Sequence, residues 1–172
     1  KNTYEYSFRN NETAAFPYDL KALSKDNGIT SILKNTPFGN SLTTDFAMAA
    51  INAEELGQDQ ITDVLTLSFS CTDYVGHNFG VNSKEIEDTY LRLDQDIARF
   101  LEYLDEKVGE GNYTIFLTAD HGAVDVPKFL SSKKIPSGYF PMDQFEEDVK
   151  TYLGNEYGAI DLIENISNNQ VF

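Results

Sequence analysis

The sequence predicts an α/β fold, a three-layer sandwich with a mostly parallel sheet, of which these 172 residues supply a part. Three observations carry that expectation. VLTLSFS (64–70) and YTIFLTA (113–119) are short apolar runs, the pattern of strands buried on both faces. Between them, Ile86, Tyr90, Leu93, Ile97, Phe100, Leu101, Leu104 and Val108 recur at helical spacing as one apolar stripe. Strand, long helix, strand is a right-handed βαβ crossover in a sheet covered on both faces.

Taken in chain order, residues 1–36 are mixed and weakly periodic, with turn signals at Pro17, Gly28, Pro37 and Gly39. A helix follows, capped at Asn40 or Ser41. Leu42, Phe46, Ala49, Ala50, Ala53 and Leu56 are its expected buried stripe, and Gly57 closes it. The first apolar run comes next. Asn82 with Glu85 resembles a capping box for the long helix, which Gly109 and Gly111 end. The second run follows. Beyond Pro127, KFLSSKKIPSGYFP reads as an exposed loop, and DQFEEDVKTYLG (143–154) as a short helix with Phe145, Val149 and Tyr152 on one face. IDLIENISNNQVF suggests a hairpin turning at Ser167–Asn169.

Composition narrows the partners. The chain carries 28 acidic against 13 basic residues, a net charge of −15. Such a surface repels nucleic acid and anionic lipid, so neither is expected as a partner. It also repels phosphate, unless bound cations reverse the local field. No apolar stretch approaches the roughly 18 residues of a membrane span. The one cysteine, Cys71, excludes an internal disulfide.

Each apolar run ends in an acid and an imidazole. After the first come Asp73 and His77; after the second, Asp120 and His121. These are both histidines of the chain, at the carboxyl ends of two strands in one βαβ unit, the edge at which open α/β sheets bind ligands. Neutral imidazole donates a lone pair and carboxylate supplies compensating charge, a donor set suited to Zn²⁺ and its neighbours. Either motif alone is common by chance. Together, at equivalent strand ends, they predict a metal site. Catalytic zinc takes about three protein ligands plus water, and no third histidine exists, so the remaining ligands are carboxylates or lie outside this chain.

TDYVGHNFG and LTADHG, with TPFGNSLTTDFAMAAI, NSKEIEDTYLRLDQDIARFLEYLD and GNYTIFLTADHGAVDVP, resemble the alkaline phosphatase superfamily. Within it the resemblance is to the phosphate-irrepressible bacterial alkaline phosphatases, relatives of the nucleotide pyrophosphatase/phosphodiesterases. It is strong over roughly residues 35–130, the expected core, with 131–172 as a loop, helix and hairpin insertion. The resemblance implies two zinc ions. Asp73 and His77 match ligands of one, and Asp120 and His121 ligands of the other. It also implies hydrolysis of phosphate monoesters through a phosphoryl-enzyme, with one metal activating a Thr or Ser nucleophile and the other stabilising the leaving oxygen. A periplasmic or secreted setting comes with it.

The family's N-terminal aspartate, nucleophile and final histidine have no counterpart in this sequence. Thr43 and Thr44 sit in an amphipathic helix, so no catalytic nucleophile is expected in the chain. The expectation is therefore the middle of a larger phosphatase, inactive alone, with the nucleophile upstream. A phosphodiesterase or nucleotide pyrophosphatase of the same superfamily shares the ligand set. A non-catalytic metal-binding domain is the reading from another class, and a phosphoglycerate mutase or sulfatase relative shares the motifs only in part. Cys71, Tyr74 and Phe79 read as packing residues and Thr72 and Asn78 as turn residues or supports of the ligands. Asp125 reads as an ordinary loop carboxylate, and Glu85, Glu87, Asp88, Asp94 and Asp96 as a solvated face.

Overall fold

The computed structural model describes residues 8–9, 16–158, 162–167 and 170–171. The chain divides into two compact units, residues 1–134 and 135–172. In the first lie α1 (Leu20–Asn27), α2 (Ile29–Lys34), α3 (Phe38–Ala53), α4 (Ser70–Phe79), α5 (Lys84–Lys107) and α6 (Pro127–Ser132). A small core of Phe8, Ile32, Val75, Phe79 and Ile86 joins α2, α4 and α5, with Tyr18 and, from α1, Leu20 and Leu23 packed against it. Full burial of one such side chain stabilises by about 1.5–3 kcal/mol.

The long helix forms where its stripe predicts. The Ser83 hydroxyl, one residue after the expected cap, accepts from the Ile86 N–H at 3.2 Å. Glu85 and Glu87 lie in its first turn and Lys107 in its last, signs that suit the helix dipole. Gly109, at φ 98°, turns the chain away. Not all its acids are solvated: Glu85 and Asp96 are buried, and Glu85 accepts from the Tyr18 hydroxyl at 2.6 Å.

α3 forms too, but starts at Phe38 and buries another face. Asn40, Thr44, Ala47 and Ile51 point inward, whereas Leu42 is exposed and Phe46 is 75% exposed. The cause is a polar lock onto α5. The Ser41 hydroxyl donates to Asp96 at 2.6 Å, Arg99 bridges Asp45 and Asp96, and the Tyr103 hydroxyl donates to the Met48 carbonyl at 3.0 Å. Small Ala47 and Thr44 allow close approach. Where α2, α3 and α4 meet, the Cys71 thiol donates to the Leu33 carbonyl at 3.4 Å, and burial raises its pKa. Gly39 is required there, since a Cβ would lie 2.2 Å from Cys71 Sγ and 2.7 Å from the Leu33 oxygen.

The two apolar runs depart from expectation. Residues 62–69 and 113–119 are neither helical nor laddered. Val64 is 85%, Phe116 89% and Leu117 77% exposed. Among the described residues the only ladder is β1 (Ile166–Ser167) with β2 (Gln170–Val171), antiparallel, Ile166 opposite Val171. A strand buried on both faces needs neighbours for its backbone groups, and among the described residues no strand lies beside either run.

In the second unit α7 (Met142–Tyr157) outruns the expected helix at both ends. Left-handed Gly158 stops it, donating to the Gly154 carbonyl at 2.9 Å. The expected face is not buried. Phe145 instead meets the Phe140 ring edge-on at 5.4 Å. The expected loop after Pro127 begins as α6, and of the expected hairpin turn residues 168–169 lie outside the described residues. Among the described residues no helix is long and apolar enough to cross a membrane.

Candidate metal centre

α4 begins directly after the first apolar run, so the Asp73–His77 spacing lies on a helix rather than in a loop. At i and i+4 the two side chains share one face. His77 Nε2 lies 3.2 Å from Asp73 Oδ1. Val75 and Phe79, two residues further on, turn to the opposite side and into the core. An acid in the first turn and an imidazole in the last also suit the helix dipole, so this pair alone would be unremarkable.

The second imidazole changes that. His121 Nε2 lies 3.3 Å from the same Asp73 oxygen, and the two rings are 6.2 Å apart. One donor atom from each of Asp73, His77 and His121 falls within 4.8 Å of the others. Tetrahedral coordination with bonds of about 2.0–2.1 Å sets donor–donor edges of roughly 3.3–3.4 Å. Both imidazole-to-carboxylate separations are close to that edge, so these three groups could together hold a metal ion.

The His121 tautomer is fixed locally. Its Nδ1 faces the Gly122 carbonyl at 2.9 Å. A carbonyl only accepts, so Nδ1 carries the proton and, in the neutral ring, Nε2 keeps its lone pair toward Asp73. The same bond is the chief reason the His121 pKa stands above its ordinary value. The charge of Asp120 adds to it, desolvation opposes it slightly, and Asp73 contributes last.

Asp120 is placed differently. Its side chain is 90% exposed, Oδ1 accepts from the His121 N–H at 3.1 Å, and Oδ2 lies 3.8 Å from His121 Nε2. The structure thus brings Asp73, His77 and His121 together, with Asp120 at the rim.

Thr72, Asn78 and Asp125 were named in the sequence, but their partners escaped sequence reasoning. Thr72, before Asp73, accepts from the buried Asn40 amide at 2.9 Å. Asn78, after His77, donates to Asn35. Both bonds tie α4 to the preceding helices instead of touching the ligand side chains. Asp125 accepts from the Asn82 amide at 2.6 Å. Gly80, at φ 85°, meets Val126 so closely that a Cβ would come within 2.8 Å of Val126 Cγ2. Partners 32 to 43 residues apart leave no periodic trace. Thr43 and Thr44 donate to the Gly39 and Asn40 carbonyls of their own helix.

A family model for type I phosphodiesterase / nucleotide pyrophosphatase matches residues 5–170. The chain is 51% identical over 172 residues to a protein of Myroides odoratus named calcium-transporting ATPase. It is 46% identical over 162 residues to alkaline phosphatase PafA of Elizabethkingia meningoseptica, and 48% over 168 to alkaline phosphatase PhoV of Synechococcus elongatus. These matches cover 99%, 94% and 98% of this chain but 31%, 29% and 30% of the relatives. The crystal structure of alkaline phosphatase PafA superposes with a TM-score of 0.88 at 45% identity, covering 99% of this chain and 32% of that one. The chain thus spans about a third of the length of the proteins it matches.

Proposed function

Since the chain belongs to the type I phosphodiesterase / nucleotide pyrophosphatase family, we propose that it forms the metal-binding middle of a zinc-dependent hydrolase of phosphate monoesters. The observation that carries this reading is the convergence of Asp73, His77 and His121. Relatives named as alkaline phosphatases support the ester as substrate. Following the resemblance, Asp73 and His77 would serve one zinc ion and Asp120 and His121 a second. The remaining ligands, and the nucleophile of a phosphoryl-enzyme, come from outside this chain. Bound there, the cations supply positive charge for the phosphoryl oxygens. That charge is needed in a protein of net charge −15, which otherwise repels its substrate.

The chain's own residues prepare the site. α4 presents Asp73 and His77 on one face, and the Gly122 carbonyl holds His121 with Nε2 free. The superposition on PafA supports a three-layer sandwich, in which residues 64–70 and 113–119 become parallel strands once further strands lie beside them. Residues 35–130 are its core and 131–172 an insertion. The setting carried by the resemblance is periplasmic or secreted.

Zinc titration of the chain by calorimetry tests the centre. Asp73→Asn or His121→Ala should weaken binding at least about tenfold; unchanged affinity would remove the proposal's basis. Alone, the chain should release no phosphate from a monoester with zinc, whereas a longer form should do so. A longer form preferring a diester would favour the family's phosphodiesterase activity instead.

A further inference from the structure

His121 reaches the centre although, among the described residues, no sheet delivers it. The loop from Asp120 to Val126 has no ladder, and α4, which carries Asp73 and His77, lies more than forty residues earlier. Something else must hold the two segments in register. Two contacts join this loop to the corner between α4 and α5. The Asn82 amide donates to Asp125 Oδ1 at 2.6 Å. Two residues before Asn82, Gly80 lets Val126 approach closer than any side chain at that position would allow.

We propose that Asn82 and Asp125 are positioning residues of the metal centre, a latch that holds the His121 loop against the end of the helix bearing the other two donors. The proposal rests on the metal reading above, but the geometry of the latch does not. Both residues are exposed, so their bond is not required by burial. Its position explains its use. Asn82 lies three residues after Phe79, the last residue of α4, and Asp125 four after His121. Hydrogen-bonding these two points fixes the short loop between, and so the distance from His121 Nε2 to Asp73. A bond to a carboxylate is stronger and shorter than one between neutral groups, which suits a latch open to water. The loop requires little else of Asp125, whose carboxylate lies outside the donor cluster.

The test uses the 172-residue chain, with circular dichroism confirming helix content in every variant. Without metal, the rings of His77 and His121 should give a nuclear Overhauser contact in the parent. Asn82→Ala and Asp125→Ala should each abolish it while leaving the unfolding midpoint unchanged. The exchange Asn82→Asp with Asp125→Asn reverses donor and acceptor and should restore it. With Co²⁺ as probe, each single variant should bind about tenfold more weakly with an altered visible spectrum, and the exchange should recover both. Retention of the ring contact and the cobalt spectrum in both single variants would overturn the latch. Loss of the contact in the single variants, in a parent that binds no Co²⁺, would uphold the latch and overturn the metal reading instead.

Discussion

The interface between α3 and α5 and the pair of apolar runs are two halves of one prediction with opposite outcomes. At the interface, residues read as polar or solvated are buried. Asn40, Thr44 and Asp96 turn inward, with bonds reaching from Ser41 to Asp96 and from Tyr103 to Met48. In the runs, residues read as core stand in water, Phe116 above all. Apolar content marks what a segment is built to bury, but only a partner at hand buries it. A polar side chain goes inward wherever a complementary group waits.

Substitutions can widen or close that contrast. The largest effect belongs to the helical side. Gly39→Ala drives a methyl against Cys71 and the Leu33 backbone. It should cost about 3 kcal/mol in urea unfolding; a cost below about 0.5 kcal/mol would mean the α2–α4 junction yields more easily than its contacts imply. Asp96→Ala comes next. It leaves the Ser41 hydroxyl and one arm of Arg99 unpartnered and should cost about 2 kcal/mol. A neutral result would place the strength of this interface in Ala47 and Ile51 alone.

On the other side, Phe116→Ser should shift the stability of this chain by less than about 0.5 kcal/mol while lowering its aggregation, read by light scattering. Destabilisation beyond about 1 kcal/mol would show that the run is covered and dissolve the contrast. The smallest effect is electrostatic. His121, raised by its bond to Gly122 and by Asp120, should titrate above 6.5 by NMR. The stability this shift lends is present below 6.5 and fades as pH rises through the folded-state value; on so exposed a ring it is too slight for unfolding curves. Asp120→Asn should lower the midpoint only in part, because the Gly122 bond remains.

What could be read from the sequence follows the same division. α5 was legible almost to the residue, because its stripe, cap and closing glycines agree. α3 was legible as a helix but not in its orientation: Leu42 and Phe46 outvote Asn40 and Thr44 in any count of apolar residues, and the Asp96–Arg99 lock is not periodic. α4 was not legible as a helix: Gly76, Asp73 and Asn78 are poor helix formers, and tertiary bonds from Asn40 and Asn35 hold it. The pairing of each imidazole with an aspartate was visible because both histidines of the chain took part. The latch was not, since Asp125 belongs to no pattern and Asn82 reads only as a helix cap.

The wedge of Cys71 between Gly39 and the Leu33 carbonyl has a practical side. It is the sole sulfhydryl in the chain, set at the crossing of three helices and held back from ionising. A thiol-reactive dye can attack it fast only when that crossing breathes. The protein therefore carries its own gauge of local opening, readable by labelling rate without any engineered handle.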